Sequence, residues 1–129
     1  MRLLLDTQVW LWMLMDPGRL SAEGRRIVAD PANQLLLSAA SAWEIAIKSA
    51  LGKLELAGPI DKVVPAMMEQ THVTPLPILH PHALRVARLP QHHRDPFDRL
   101  LVAQAQLELV PIMTADPQMS AYEVELIAP

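Results

Sequence analysis

The stretch from His92 to Ala105, HHRDPFDRLLVAQA, sets two carboxylates, Asp95 and Asp98, three residues apart where a strongly helical pattern begins. On a helix that spacing turns both acids toward roughly the same side of the first turn. Asp6 closes the apolar run Arg2–Leu5, and Asp116 follows the apolar run Val110–Thr114. Glu44 lies near the front of a helical segment that follows a third apolar run, Gln34–Ser38. If the runs are parallel strands, Asp6, Glu44, Asp98 and Asp116 come to the same edge of one sheet. In open α/β sheets that edge is where ligands bind. Two unit charges 4 Å apart at an effective dielectric near 20 repel by roughly 4 kcal/mol, so such a cluster needs protons or a cation. An all-oxygen set of donors in a chain without cysteine suits the hard ions Mg²⁺ or Mn²⁺.

Each acid also has a purely structural reading. Asp95 precedes Pro96, an N-cap followed by the favoured proline at the first helical position. Asp98 then stands where an acid completes a capping box or faces the helix dipole. Glu44 is three residues after Ser41 and four before Lys48, so it could close a capping box or pair with the lysine. Asp116 before Pro117 could form a turn, and Asp6 could cap the helix that starts at Thr7. What favours a site is the recurrence of like residues at corresponding ends of successive elements.

The elements that must position these acids follow from the pattern. Arg2–Leu5 and Gln34–Ser38 are short continuous apolar runs, as expected of strands buried on both faces. Thr7–Met15 is an apolar helix stopped by Asp16-Pro17-Gly18. Ser21–Ala29 is a short amphipathic helix with Ser21 as N-cap, and Ala39–Leu51 a helix closed by Gly52. Ile60–Gln70 is predicted helical despite Pro65, His72–Leu76 is a proline-limited strand near an edge, and Pro81–Leu89 is a further helix. The helix at Asp95 runs to about Glu108, and strands at Val110–Thr114 and Val124–Ile127 complete the chain. Strands alternating with helices predict an α/β domain over 1–129, a mainly parallel sheet of four to five strands with helices on both faces. The pattern does not reveal strand order.

Composition narrows the choices. A chain of 129 residues is of ordinary size for one domain with its own core, and its single Phe and Tyr leave that core to Leu, Val, Ile, Ala and Met. The absence of cysteine excludes disulfides, thiolate metal sites and a cysteine nucleophile. A formal charge of −3 gives no bulk attraction for nucleic acid, so binding it needs a local basic patch or a bridging cation. The apolar stretch Leu3–Met15 is interrupted by Asp6 and Gln8 and falls short of the roughly 18–20 residues of a span, so a soluble, unexported, cytoplasmic protein is expected. His80 and His82 lack the spacing of a zinc helix motif and are read as part of a solvated loop, and four glycines leave no phosphate-cradling loop. Arg94 and Arg99 flank the acids and could hold phosphate or balance charge.

LLLDTQVWLW, SAASAWEIAIKSALGKL, HHRDPFDRLLVAQA and MTADPQMSAY, in this order and spacing, resemble the PIN-domain ribonucleases, and among them the VapC-type toxins of bacterial toxin–antitoxin pairs. The resemblance covers nearly the whole chain and is most specific in the His-x-Asp-Pro-Phe-Asp-Arg block. It implies an α/β/α sandwich and a Mg²⁺- or Mn²⁺-dependent endoribonuclease site whose four acids fall on Asp6, Glu44, Asp98 and Asp116. It also implies a homodimer, and inhibition by an antitoxin whose C-terminal segment lies over the site. Gln8 departs from the pattern, since close relatives often have His after the Asp-Thr. In such a nuclease Arg25, Arg26, Lys48, Lys53, Arg94 and Arg99 are candidates for the RNA backbone, although a solvated helix face suits Arg25 and Arg26 better. Two rivals are a phosphotransfer or receiver-type module, which needs a lysine at the end of a late strand, and an interaction domain whose acids are only caps.

Overall fold

A computed structural model describes residues 1–93 and 95–129. Its centre is a five-stranded, wholly parallel sheet in the order β3-β2-β1-β4-β5. The strands are β1 (Arg2–Leu5), β2 (Gln34–Ser38), β3 (Thr74–Leu76), β4 (Ile112–Met113) and β5 (Leu126–Ile127). The helices are α1 (Thr7–Met15), α2 (Ala22–Ala29), α3 (Ala39–Ala50), α4 (Ile60–Thr71), α5 (His80–Arg85) and α6 (Pro96–Glu108), supplemented by short 3₁₀ turns.

Strand alternation sorts the core into two layers. Leu3 and Leu5 of β1 and Leu35 and Leu37 of β2 pack with Val9 and Trp10 of α1, Ile27 of α2 and Val64 of α4. Leu4 and Leu36 point the other way, against Leu101, Val102 and Ala105 of α6, with Met119 and Tyr122. Because both faces are covered, the central strands have no polar side, which is why they read as continuous leucine runs. Helix α3 belongs to both layers, Ile45 to the first and Ala40 to the second. The expected α/β/α sandwich with a parallel sheet is what the chain forms.

Element bounds differ from the sequence expectation where a particular residue intervenes. His72 ends α4 in the left-handed conformation (φ 55°), so β3 begins only at Thr74. Pro111 has no N–H to donate and holds β4 to two residues, although its carbonyl still accepts from the Leu4 amide at 2.9 Å. Pro65 is accommodated inside α4 on its exposed face. Gly52, just past α3, has φ 72°, as its reading as a helix stop requires.

The strand order supplies what the sequence withheld. From β1 the chain steps outward through β2 to the edge strand β3, then returns across the sheet to lay β4 on the other side of β1. The order therefore reverses between β1 and β4, and a crevice opens beyond their C-terminal ends. Asp6 follows β1 and Asp116 follows β4 across that crevice.

Candidate active site: an acidic crevice at the switch point

Asp6, Glu44, Asp98 and Asp116 all line one cavity of about 350 Å³, together with Thr7, Gln8, Leu11, Trp12, Lys48, Asp95 and Ala115. The four acids arrive on four separate elements. Asp6 is the last residue before α1, and its amide donates to the Met113 carbonyl at 3.0 Å, so β4 fixes where β1 releases the chain. Glu44 sits in the second turn of α3, whose N-cap is Ser38 rather than Ser41. Ser41 instead accepts a 2.8 Å hydrogen bond from the Thr7 hydroxyl, tying α3 to the start of α1 in the buried interior. Asp98 is in the first turn of α6.

The structural readings separate cleanly on this geometry. Asp95 caps α6, its Oδ1 accepting from the amides of Phe97 at 2.9 Å and Asp98 at 3.4 Å. Asp116 also caps, with Oδ1 accepting from the Gln118 amide at 2.9 Å, but its second oxygen faces the crevice. Asp6 stands at the N-cap of α1 without a side-chain cap bond. Its Oδ2 instead accepts a 2.6 Å hydrogen bond from the Thr114 hydroxyl, which in turn accepts from the Asp116 amide at 3.0 Å. Glu44 pairs with Lys48 at 2.8 Å while lining the cavity. Caps alone therefore leave Asp6 and Asp98 unexplained.

Burial and mutual repulsion show in the acidities. Asp98 is raised from 3.8 to about 7, first by desolvation and then by the nearby Asp6 and Asp95 carboxylates. Asp6 is raised as well, by burial foremost and also by Glu44 and Asp116, although the Thr114 hydrogen bond works against the shift. Lys48 is raised by its bond to Glu44. A buried pair of acids that resists ionisation calls for a counter-charge.

Among the described residues, His93, Asp98 and Asp116 each bring one potential ligand atom within 4.8 Å of the others, a group that includes two of the four expected acids and a histidine. The His93 Nε2 lies 2.8 Å from Asp116 Oδ2 and 3.1 Å from Asp98 Oδ2. Its Nδ1 accepts the Asp95 amide at 3.1 Å, which requires a lone pair there. The ring is therefore the neutral Nε2–H tautomer, a donor between two carboxylates and a poor metal ligand in this pose. Sequence reasoning gives neither His93 nor Thr114 a role of its own. The signals are present, since His93 stands within the His-x-Asp-Pro block and Thr114 two residues before Asp116.

Three other expectations are corrected or fall elsewhere. Arg99 cannot reach a phosphate, because its buried guanidinium donates to the carbonyls of Pro90 (2.7 Å), Val86 (3.2 Å) and Leu89 (3.4 Å) and to the Tyr122 hydroxyl (3.2 Å). His82 is no loop residue. It is buried in α5, its Nδ1 accepting from the Leu79 amide at 3.0 Å and its Nε2 lying 2.9 Å from Glu108. Arg94 lies outside the described residues. Arg25 is exposed and Arg26 pairs with Glu23, in keeping with a solvated face of α2.

Over 60 residues the chain is 50% identical to Ribonuclease VapC16 of Mycobacterium tuberculosis (strain ATCC 25618 / H37Rv), a match spanning 46% of this chain and 43% of that protein. The fold is shared with VapBC2 from Rickettsia felis, solved bound to a DNA fragment from its promoter (TM-score 0.74, 11% identity, 98% of both chains). It is shared too with VapBC-1 of nontypeable Haemophilus influenzae (TM-score 0.68, 17% identity, 98% of this chain and 97% of that one). FitAcB from Neisseria gonorrhoeae aligns with a TM-score of 0.65 at 22% identity, over 98% of this chain and 97% of that one. The PIN domain family model matches residues 3–125, and the chain belongs to that family.

Proposed function

We propose that this protein is a metal-dependent endoribonuclease, the VapC-type toxin of a toxin–antitoxin pair acting in the cytoplasm, with residues 1–129 forming one PIN-like domain. The observation that carries the reading is the convergence of Asp6, Glu44, Asp98 and Asp116 on one cavity at the sheet's switch point. A chain that held these acids only as caps would have no reason to bury Asp6 and Asp98 side by side, where both resist ionisation. A receiver-type module is disfavoured by the end of β4, which carries Thr114 and Asp116 and no lysine.

The donor set fits a hard divalent ion. Its oxygens come from carboxylates alone, without sulfur, and their crowding is relieved by added positive charge. Asp6, Glu44, Asp98 and Asp116 are the residues that would hold Mg²⁺ or Mn²⁺. When bound, such an ion supplies Lewis acidity toward a phosphate oxygen and lowers the pKa of water for in-line attack. The chain's own residues do the rest. Thr114 fixes the Asp6 carboxylate, and the His93 Nε2–H keeps Asp98 and Asp116 turned inward. Glu44 or Asp116, which line the same cavity, would orient the attacking water or take its proton. Lys48 brings positive charge to the cavity wall, where a scissile phosphate has to approach.

The partners are those that the resemblance implies: RNA as substrate, a cognate antitoxin as inhibitor, and a second copy of the chain. Among the described residues no helix is long and apolar enough to cross a membrane. The test is a digest of total RNA and tRNA by purified protein with Mn²⁺ or Mg²⁺, alongside expression in a growing culture. Cleavage and growth arrest are expected, both abolished in an Asp6→Asn, Asp98→Asn double variant that still folds. Intact RNA after incubation of folded wild type with either ion would overturn the reading.

A further inference from the structure

The acidic crevice opens into a second cavity of about 520 Å³, lined by Gln8, Leu11, Trp12, Lys48, Met15, Asp16, Arg19, Lys53 and Leu54, four of which the two cavities share. Its character is opposite to that of the crevice. Arg19, Lys48 and Lys53 line it against one acid, Asp16, whereas the other main cavities of the described residues hold one Lys or Arg or none. Trp12 offers a half-buried indole in its wall, with the Arg19 guanidinium 5.7 Å from the ring centroid. Asp16 accepts from Nε of Arg19 at 3.2 Å, which orients the guanidinium and leaves its terminal nitrogens to donate elsewhere. Among the described residues Lys53 makes no ion pair, and it lies just past the turn at Gly52 that ends α3.

We propose that this groove is the subsite for the single-stranded RNA flanking the cleaved bond. In it Arg19 and Lys53 hold backbone phosphates, and one base stacks on Trp12. The inference rests on the ribonuclease reading and deepens it. A strand whose phosphate sits among the acids has to leave the crevice, and among the described residues this is the exit with several cations along it. The combination of a basic track and an aromatic face is what binds single strands without reading their sequence. It also explains how a chain of net charge −3 holds a polyanion: the charge is sorted into an acidic centre and a basic arm.

The experiment measures binding separately from cleavage. A fluorescein-labelled 12-nucleotide single-stranded RNA of mixed sequence is titrated with Asp98→Asn protein by anisotropy at several salt concentrations. Arg19→Ala, Lys53→Ala, Trp12→Leu and Trp12→Phe are added to that background, with Arg88→Ala, exposed on a 3₁₀ turn away from both cavities, as the charge control. Thermal unfolding checks that each variant folds. Removing either phosphate-binding cation, Arg19 or Lys53, should lower the slope of log Kd against log salt by about 0.7. Trp12→Leu should weaken binding about tenfold with the slope unchanged, and Trp12→Phe should restore most of it. If folded Arg19→Ala and Lys53→Ala match the Arg88→Ala control in both affinity and slope, the groove does not hold RNA. An acidic decapeptide of glutamate whose binding depends on Lys53 and Arg19, with RNA affinity unchanged, would assign the groove to a protein segment and overturn the proposal. The two readings fail separately. Variants that weaken RNA binding in a protein that cleaves nothing leave the groove standing, whereas cleavage with an unaltered salt slope removes only the groove.

Discussion

Asp98 gives the most exposed test of the electrostatic argument, because the site should cost the metal-free protein stability. Its carboxyl is raised from 3.8 to about 7 in the fold. Between those values the folded protein still holds a proton that the unfolded chain has released, so stability falls as pH rises and the full cost is present above pH 7. At about 1.4 kcal/mol per pH unit the shift sets a ceiling of about 4 kcal/mol, and water at the open mouth of the cavity reduces this to about 2 kcal/mol. Asp98→Asn keeps the shape and an oxygen able to accept from His93, but it cannot ionise. In EDTA at pH 8 the variant should therefore be more stable than wild type by about 2 kcal/mol, a shift of about 1 M in the urea midpoint. At pH 4, where Asp98 is neutral in the fold and only about half ionised in the unfolded chain, the difference should shrink to less than about 1 kcal/mol. Mn²⁺ should then raise the wild-type midpoint at pH 8 more than the variant's, because the ion relieves a repulsion the variant no longer has. The reasoning fails if Asp98→Asn is no more stable than wild type at pH 8, or if any difference is the same at both pH values.

Three further outcomes follow from neighbouring geometry. Asp95→Asn preserves a side chain that caps about as well, so RNA cleavage should fall by less than about tenfold, whereas Asp98→Asn should bring it to background in the same assay. Arg99→Met leaves three carbonyls and a phenol without their donor in a buried setting, and thermal or urea unfolding should show a loss of about 3 kcal/mol. In ¹H–¹⁵N spectra of the metal-free protein at pH 8, His93 should appear as the Nε2–H tautomer; the Nδ1–H form would contradict the bond drawn from the Asp95 amide.

Most of the fold was legible because its signals are local. The leucine runs of β1 and β2 have no polar alternation, and that alone implies a sheet covered on both faces. Asp95-Pro96 and Gly52 mark helix ends by their own backbone chemistry. The misplaced bounds were set by conformations that no periodicity encodes, such as His72 in the left-handed region and a strand cut to two residues beside Pro111. Strand order stayed hidden for a different reason. It depends on which runs bury best beside one another across the whole chain, and here it decides that Asp6 and Asp116 face each other.

The site was legible in its acids and not in what holds them, and the cause is the range over which each is specified. Four carboxylates at matching ends of elements can be counted along a line. Whether an acid is a cap or faces a cavity depends on its second oxygen, and that is settled by residues distant in sequence. Thr114 meets Asp6 across 108 positions, and the His93 ring reaches Asp116 from 23 positions away. Arg99 shows the same limit in the opposite direction. Beside two acids it reads as a phosphate ligand or as a balancing charge, yet the carbonyls of Pro90, Val86 and Leu89 draw its guanidinium inward. There it fastens the turn that leads toward His93, so its contribution to the crevice is to hold the segment on which the inward-facing histidine depends. Sequence proximity to an acid thus did not decide the places of the residues in the block. Only the donors and acceptors available on either side of α6 decided which of them face the crevice and which support it from behind.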